Sequence, residues 1–571
     1  MTTASASAVP PRPAAWLSGN GVWLLAALLA AANLVPLFAV PDPPLQDYPS
    51  HLLRAHLFFE YENPRLGYAA HYTRSWLPGP YVLADGLTVA FAQVLPLRLA
   101  GKLVLALTVT LVPLAVVALL GAIRPDKRLL GLAAFPAAYH WPFHMGFVSY
   151  SLSLAPALFA LALWFRRRAA WRPRDTAGLA ALALLCYLGH LFSFAILALL
   201  LVAAALLEPR RWRLLAQVLA ALAPAALLLA AVNAVEGAAG TGQPLLLVYG
   251  PLRAKLADAA GVLLALAPAA EARLFAALGL LLAPFVALGL ARAESRRPLA
   301  LALVAAALYL VLPDHVGGGD FLIGYVAIRV PLVFGALLLA VADAPRSTWG
   351  RGVLGAILVG FALVRGGQLT SIYRRVEVDL ASYRAALARL PADARPRFEI
   401  ERGPARRGSV GPETLFGNYF FLRSSVSRIP RLEAFVGPLR PIAYRRPEPR
   451  LRPDAQAAGV PPIFVRSAVA RAQALLALGG ERSPHFARGA AAAGFAPRCT
   501  LGPAQWLVRV RASSIARTQA SYFQHGFDAG HDHLVVLRRR AGLALRPRVG
   551  FVELFASGRA HVLRRAATPP P

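Results

Sequence analysis

VWLLAALLAAANLVPLFAV, residues 22–40, runs without a break into PDPPLQDYPSHLLR, residues 41–54. The first piece is long and apolar enough to cross a hydrocarbon core of about 30 Å, and the second is what such a chain shows on leaving it. Pro41, Pro43, Pro44 and Pro49 fix φ repeatedly and discourage a helix until after Pro49, so Ser50–Phe59 is the first stretch free to wind. Asp47, Tyr48, His51 and Arg54 fall close together, and the three-residue spacing of His51 and Arg54 gives them a common helix face. Two readings fit: an acid set with polar partners at a membrane exit for chemistry, or an interfacial loop whose Asp47 caps a helix.

Beyond this junction the apolar residues come in blocks such as Leu103–Ala122 and Ala177–Leu207. With 571 residues, 57% of them hydrophobic, and a mean hydropathy of +0.54, the chain is a polytopic α-helical membrane bundle. Its net charge of +32 suggests nucleic acid, but the pattern does not. Only Lys102, Lys127 and Lys255 are lysines; the other basic residues are arginines, scattered and not interleaved with stacking aromatics. That usage reads as the bias of a high-GC bacterial source, with no nucleic-acid partner. Cys186 lies in an apolar run and Cys499 in the polar tail, which argues against a disulfide between them.

Basic clusters give the topology. Arg124, Lys127 and Arg128 form one; Arg166, Arg167, Arg168, Arg172 and Arg174 a second; Arg210, Arg211 and Arg213 a third; Arg292, Arg296 and Arg297 a fourth; Arg346 and Arg351 a fifth. If all five face the cytoplasm, the segments between them cross in pairs. Leu129–Phe165 then holds two spans with Tyr139–His144 at the outer turn. Ala177–Leu207 holds two short ones with His190 at the apex. Leu214–Val232, Leu274–Ala291, Leu299–Leu312, Val326–Val341 and Val353–Val364 complete about eleven spans, from a cytoplasmic lead over residues 1–20 to an external C-terminus. The bundle covers residues 21–367, with a long first external loop at 41–98. Within that loop Leu83–Leu95, carrying Asp85, reads as a helix at the outer interface.

After Gly367 the composition turns polar, and residues 368–571 read as an extracytoplasmic α/β domain. Strands are expected at Phe398–Glu401, Tyr419–Leu422 and Leu534–Arg538, with a hairpin Phe551–Phe555/Ala560–Leu563, and helices at Ala468–Leu478 and Phe486–Ala493. HGFDAGHDH, residues 525–533, follows no established metal-ligand spacing and reads as a surface turn. No phosphate-cradling loop or GxSxG motif occurs.

Ionisable groups at membrane depth are costly and mark sites more often than chance. The topology gathers Asp47, His51, His140, His144, His190, Asp314, His315 and Arg329 on one membrane face, with Tyr48 and Arg54 beside Asp47. For each histidine alone, the plainer reading is an interfacial ring bonded to a backbone carbonyl. No resident cofactor or metal is expected, though a divalent ion stays an open alternative.

The retained first span, the acid just past its exit, the paired short spans and the external C-terminal domain together resemble the type C membrane glycosyltransferases, including dolichyl-phosphate-mannose-type and aminoarabinose-type transferases. QDYPSH at 46–51 is similar to the opening of bacterial DYPxH-type members, and PDHVGGGD at 313–320 followed by Arg329 is the second resembling stretch. The resemblance implies transfer of a sugar from a polyprenyl-phosphate donor to a glycan, lipid or protein acceptor of the envelope, at the outer face of a bacterial inner membrane. It makes Asp47 the general base. Arg329 and Arg54 become the cations for the lipid phosphate. A transporter or flippase, and a non-catalytic envelope assembly protein, are the alternatives; matching broken helices and repeat symmetry, which transporters show, are not seen here.

Topology reporters fused at Arg168, Arg211 and Arg351 are expected to read cytoplasm, and one fused after Arg374 periplasm. A cytoplasmic signal from the last would undo the grouping of these residues on the outer face.

Overall fold

A computed structural model describes residues 20–64, 72–74, 79–237, 246–249, 251–318, 321–390, 396–400, 442–444, 533–537, 551–558 and 560–565. Among the described residues six helices are long and apolar enough to cross a membrane: α1 (Asn20–Phe38), α4 (Leu97–Ile123), α6 (Val148–Arg167), α9 (Arg211–Gly237), α11 (Pro268–Leu290) and α14 (Thr348–Leu387). The chain is a multi-pass membrane protein. The expected pair of short helices is present as α7 (Pro173–Gly189) and α8 (Leu191–Leu206), which meet at His190; α12 (Arg296–Val311) and α13 (Val330–Val341) are of similar length. Two shorter helices follow α1, namely α2 (Tyr48–Phe59) and α3 (Val82–Ala92), and α10 (Leu252–Gly261) precedes α11. A single turn, α5 (Trp141–His144), leads into α6.

The first of the two spans expected in Leu129–Phe165 takes another form. Residues 125–134 and 136–139 are 3-10 helix, running back along α4. At a rise of about 2.0 Å per residue this stretch covers roughly 30 Å, so it can do the work of a span with fewer residues than an α-helix. Irregular backbone is tolerated at such depth only when enclosed by protein. Leu129, Leu130, Leu132, Ala133 and Phe135 are all buried, and Asn33 of α1 donates to the Phe135 carbonyl at 3.2 Å. Gly131 permits the contact: a Cβ there would lie 2.7 Å from the Val117 Cα on α4.

All three lysines serve one structural purpose. Lys102 donates to the carbonyl of Val40, just past the end of α1. Lys127 reaches the carbonyls of Ala340 and Val341 at the end of α13, at 3.1 and 3.3 Å. Lys255 reaches Tyr309 and Leu312 at the end of α12. Helix C-termini leave carbonyls without intrahelical donors and carry partial negative charge, and a compact ammonium with three donors suits them.

The basic clusters converge at one end of the bundle. Arg124 pairs with Asp126, Glu294 and Asp343; Arg292 also pairs with Asp343, and Arg351 approaches Asp126. Arg168 and Arg297 share Glu208. Contacts between four of the five clusters therefore support their predicted common face.

The hydropathy break at Gly367 falls inside α14, a 40-residue helix that continues to Leu387. A four-stranded sheet packs against its far end, in the order β5 (Pro396–Ile400), β7 (His533–Leu537), β9 (Ala560–Arg565), β8 (Phe551–Ser557). β5 and β7 are parallel, and β8–β9 is the expected hairpin, turning at Gly558 with φ +56°. Short strands also pair: β1 (Tyr72–Arg74) with β6 (Ile442–Tyr444), and β3 (His315–Gly318) with both β2 (Leu246–Val248) and β4 (Phe321–Ile323). The expected strand Tyr419–Leu422 and helices Ala468–Leu478 and Phe486–Ala493 lie outside the described residues, as does the HGFDAGHDH segment up to His533.

Gly131→Val is expected to force α4 and the 3-10 stretch apart and to destabilise the bundle by about 1–3 kcal/mol. A lowered melting temperature in detergent would register this; an unchanged one would refute the close contact.

Candidate functional site

The end of the molecule opposite the basic clusters is built on the Gln46–Tyr48 backbone. Gln46 and Asp47 donate to the carbonyls of His144 and Met145 at 2.9 and 3.1 Å, tying the first loop to the turn before α6. Gly146 in that turn has φ +81°, and an added Cβ would lie 2.8 Å from the Asp47 Cα, so a side chain there would push Asp47 away.

Asp47 occupies the N-cap position of α2, yet its carboxylate makes no cap hydrogen bond. The reason is local. Position N2 is Pro49, which has no N–H, and the N3 donor, Ser50 N–H, is bonded to the Asp47 backbone carbonyl at 3.0 Å. Asp47 is half-buried. Its carboxylate lies near the Tyr325 phenol, which partial burial raises above its ordinary pKa, with Asp47 and Asp258 adding to the effect.

Four residues away the same helix does something different. Arg54 holds Asp85 of α3 in a two-pronged ion pair, Nε to Oδ2 at 2.7 Å and Nη2 to Oδ1 at 3.0 Å. His51 Nδ1 lies 2.9 Å from the same Oδ1, and its Nε2 is 3.2 Å from the Gly146 carbonyl. All three side chains are buried. Burial alone would raise the Asp85 carboxyl, but Arg54 and His51 hold it below its ordinary range. Burial also lowers the His51 pKa, helped by the Arg54 cation and opposed by Asp85. The shared face predicted for His51 and Arg54 is therefore real, and it locks α2 to α3. Tyr48 packs in an apolar cluster with Leu52, Val104 and Leu105.

The histidines of the outer turns are helix caps or pairs. His140 Nδ1 accepts from Phe143 N–H at 3.0 Å, and His190 Nδ1 accepts from Phe192 N–H at 3.1 Å. Because a backbone N–H can only donate, both rings carry their proton on Nε2 when neutral. His144 Nε2 is 3.2 Å from the Tyr373 hydroxyl of α14.

Arg329 differs from the other buried arginines described, Arg54 and Arg365, each of which is paired with a carboxylate. It is 8% exposed, and no described carboxylate lies within ion-pair range of it. Its guanidinium carbon sits 5.2 Å from the Phe147 ring centre and 5.9 Å from those of Tyr150 and Phe192, and its Nε has no hydrogen-bond partner among the described residues. Tyr150 donates its hydroxyl to the Arg329 carbonyl. Consecutive residues of this turn thus meet both candidates: the Phe147 ring carries Arg329, and Gly146 lies against the Asp47 backbone.

Backbone strain collects at the same place. Among the described residues the non-glycine positions with positive φ are Tyr81 at +74° and Tyr325 at +60°. Tyr325 neighbours Asp47 and stacks edge-on at 5.0 Å from Trp141; Tyr81 stacks 4.7 Å from His190, within electrostatic reach of Arg329. Each such conformation costs on the order of 1–3 kcal/mol and persists where surrounding structure imposes it, often at functional sites.

Asp314 has its backbone carbonyl bonded to Val326 N–H at 2.8 Å and its carboxylate 3.7 Å from Lys255. His315 opens β3, opposite Val248. Several participants escaped sequence reasoning: Asp85, Tyr81, Tyr325 and the pair Glu271–Arg365, buried at 2.8 Å between α11 and α14. An acid inside the apolar Leu83–Leu95 stretch was the available signal for Asp85. Nothing in the local sequence marks Tyr325. Among the described residues no cluster of three or more His, Cys, Asp or Glu forms a metal site.

No family model matches the chain, and no curated protein matches it. Among solved structures it is similar to the crystal structure of ArnT from Cupriavidus metallidurans in the apo state, at 14% identity, covering 95% of this chain and 97% of that one, with a TM-score of 0.41.

Asp85→Ala leaves Arg54 buried without a countercharge and is expected to cost about 3–5 kcal/mol. The double variant Asp85→Ala/Arg54→Ala should cost less than the sum of the singles, as read by denaturation in detergent. Since the folded-state pKa of Asp85 is depressed, its contribution is complete above the ordinary carboxylate range and fades as pH falls through the folded-state value. Asp85→Asn should remove that acid-dependent component. Strictly additive losses would show that the pair is not coupled.

Proposed function

We propose that this protein is a membrane glycosyltransferase that moves a sugar from a polyprenyl-phosphate-linked donor to an envelope acceptor at the outer face of the bacterial inner membrane. The observation that carries the reading is Arg329: a buried guanidinium in an aromatic cage with no described carboxylate to neutralise it. A buried charge is expensive unless paired, so an anionic ligand is the natural complement. A lipid phosphate reaching the cage from the bilayer supplies that charge.

On this reading about eleven crossings separate the basic clusters, in the cytoplasm, from Asp47 and Arg329 at the periplasmic side, and residues 368–571 belong to the periplasm. The acceptor hydroxyl oxygen attacks the anomeric carbon while Asp47 takes its proton. The bond from that carbon to the phosphate oxygen breaks, and the lipid phosphate leaves with its negative charge against Arg329. The donor phosphate needs a cation and no proton, which suits an acid without a cap bond at Gly146 and a cation on the next residue's ring. Half-burial suits Asp47 to this task, since a general base must meet both acceptor and water. His51 and Arg54 act behind it, fixing α2 through Asp85. His140, His144 and His190 hold the turns that carry Phe143, Phe147 and Phe192. In this reading they position the wall of the site, with Tyr48, Asp314 and His315 at its margin.

Asp47→Asn is expected to keep the fold and donor binding while turnover falls by about 10²–10⁴. Arg329→Ala should do the reverse, weakening donor binding first. Both are measured with purified protein and a polyprenyl-phosphate sugar, after mass spectrometry of lipid-linked sugars in a deletion strain has identified the donor. Full turnover in Asp47→Asn would remove it as the base.

A further inference from the structure

A groove of about 650 Å³ runs along the outside of the bundle between α1 and α14, away from the Arg329 cage. Ala32 and Val35 form one wall; Ala362, Leu363, Gly366 and Gly367 form the other. A Cβ added at Gly366 or Gly367 would meet nothing within 4 Å, so the glycines open this space and are not packed against a neighbouring element. The groove is largely apolar; Thr370 and Ser371 lead from the glycines to Arg374 and Arg375, both exposed, and Val378 lies a turn beyond. Neither forms an ion pair with a described carboxylate: the nearest acid in sequence, Glu377, is held by Arg384.

Depth identifies what meets those arginines. α14 begins at Thr348, in the sequence neighbourhood of Arg351, which approaches Asp126 in the ionic cluster at the opposite end of the molecule. At about 1.5 Å per residue, residue 374 stands roughly 39 Å further along the helix, beyond a hydrocarbon core of about 30 Å and at the level of lipid headgroups. A largely apolar groove at acyl-chain depth that carries two guanidiniums without a described carboxylate partner at headgroup depth complements the charge and polarity pattern of an anionic phospholipid.

We propose that the α1–α14 groove binds one anionic phospholipid of the outer leaflet, an acyl chain lying along Gly366 and Gly367 and the phosphate diester held by Arg374 and Arg375. This goes beyond the donor-lipid reading: it is a separate site, and it requires no transfer activity. Its location has a structural consequence, because Tyr373, between the groove and the core, carries the hydroxyl bonded to His144.

The test is native mass spectrometry of the full-length protein in detergent, titrated with phosphatidylglycerol or with phosphatidylcholine of the same chains. Phosphatidylglycerol should be retained preferentially as one bound molecule. Arg374→Gln/Arg375→Gln should lower that preference about thirtyfold, since two headgroup-level cations are lost. Its melting temperature without lipid should not change, because both side chains are exposed and neither pairs with a described carboxylate. Gly367→Leu, which fills open space and keeps both arginines, should reduce retention of phosphatidylglycerol. Arg329→Ala should leave it intact, which separates this site from the cage. Soluble glycerol phosphate should not compete. Equal retention of the two lipids, a preference that survives the double glutamine variant, or full competition by glycerol phosphate would each overturn the proposal.

Discussion

A hydrocarbon core offers no water to an unpaired backbone group, and this constraint explains most of the polar detail in the bundle. The three lysines end helices by donating to carbonyls that no longer have intrahelical donors. The stretch at 125–139 can cross as 3-10 helix because α1, α4, α13 and α14 enclose it, with Asn33 donating to the Phe135 carbonyl at its joint and Lys127 reaching out to the last carbonyls of α13. His140 and His190 satisfy helix N-termini in the same way. Residues that look chemically active in the sequence are thus largely occupied with backbone accounting.

Against that background the buried arginines sort into two kinds. Asp85 with Arg54, and Glu271 with Arg365, are paired at 2.7–2.8 Å and knit separate helices together. Replacing one partner is costly because the other remains in low dielectric. Arg329 has rings where those pairs have carboxylates. A cation–π cage recovers part of the desolvation cost but leaves the charge available to an anion. Asp47 is the counterpart among the acids: Pro49 denies it the ordinary capping role, so its carboxylate has another environment, beside a strained Tyr325.

Much of the architecture is legible in the order of residues alone. Apolar blocks of spanning length, basic clusters between them and alternation after residue 396 are all local or periodic signals, and they anticipate the helices, the common face of the arginines and the β8–β9 hairpin. Proline placement brackets the start of α2 to within two residues: the helix opens at Tyr48, ahead of the expected Ser50, because Pro49 falls in the first turn, where no intrahelical N–H is needed. These hold because hydrophobic burial and backbone stereochemistry act at short range along the chain. What only the tertiary structure decided is which polar groups neutralise one another. His51 and Arg54 are three residues apart, but Asp85, which turns them into a lock, is 31 residues from Arg54 and comes from a helix whose composition suggested only an interfacial surface. Tyr325 reaches Asp47 from far along the chain, and Arg329 is unneutralised only because no described acid folds toward it. Charge pairing depends on distance in space and on the exclusion of water, and neither quantity is written in the sequence.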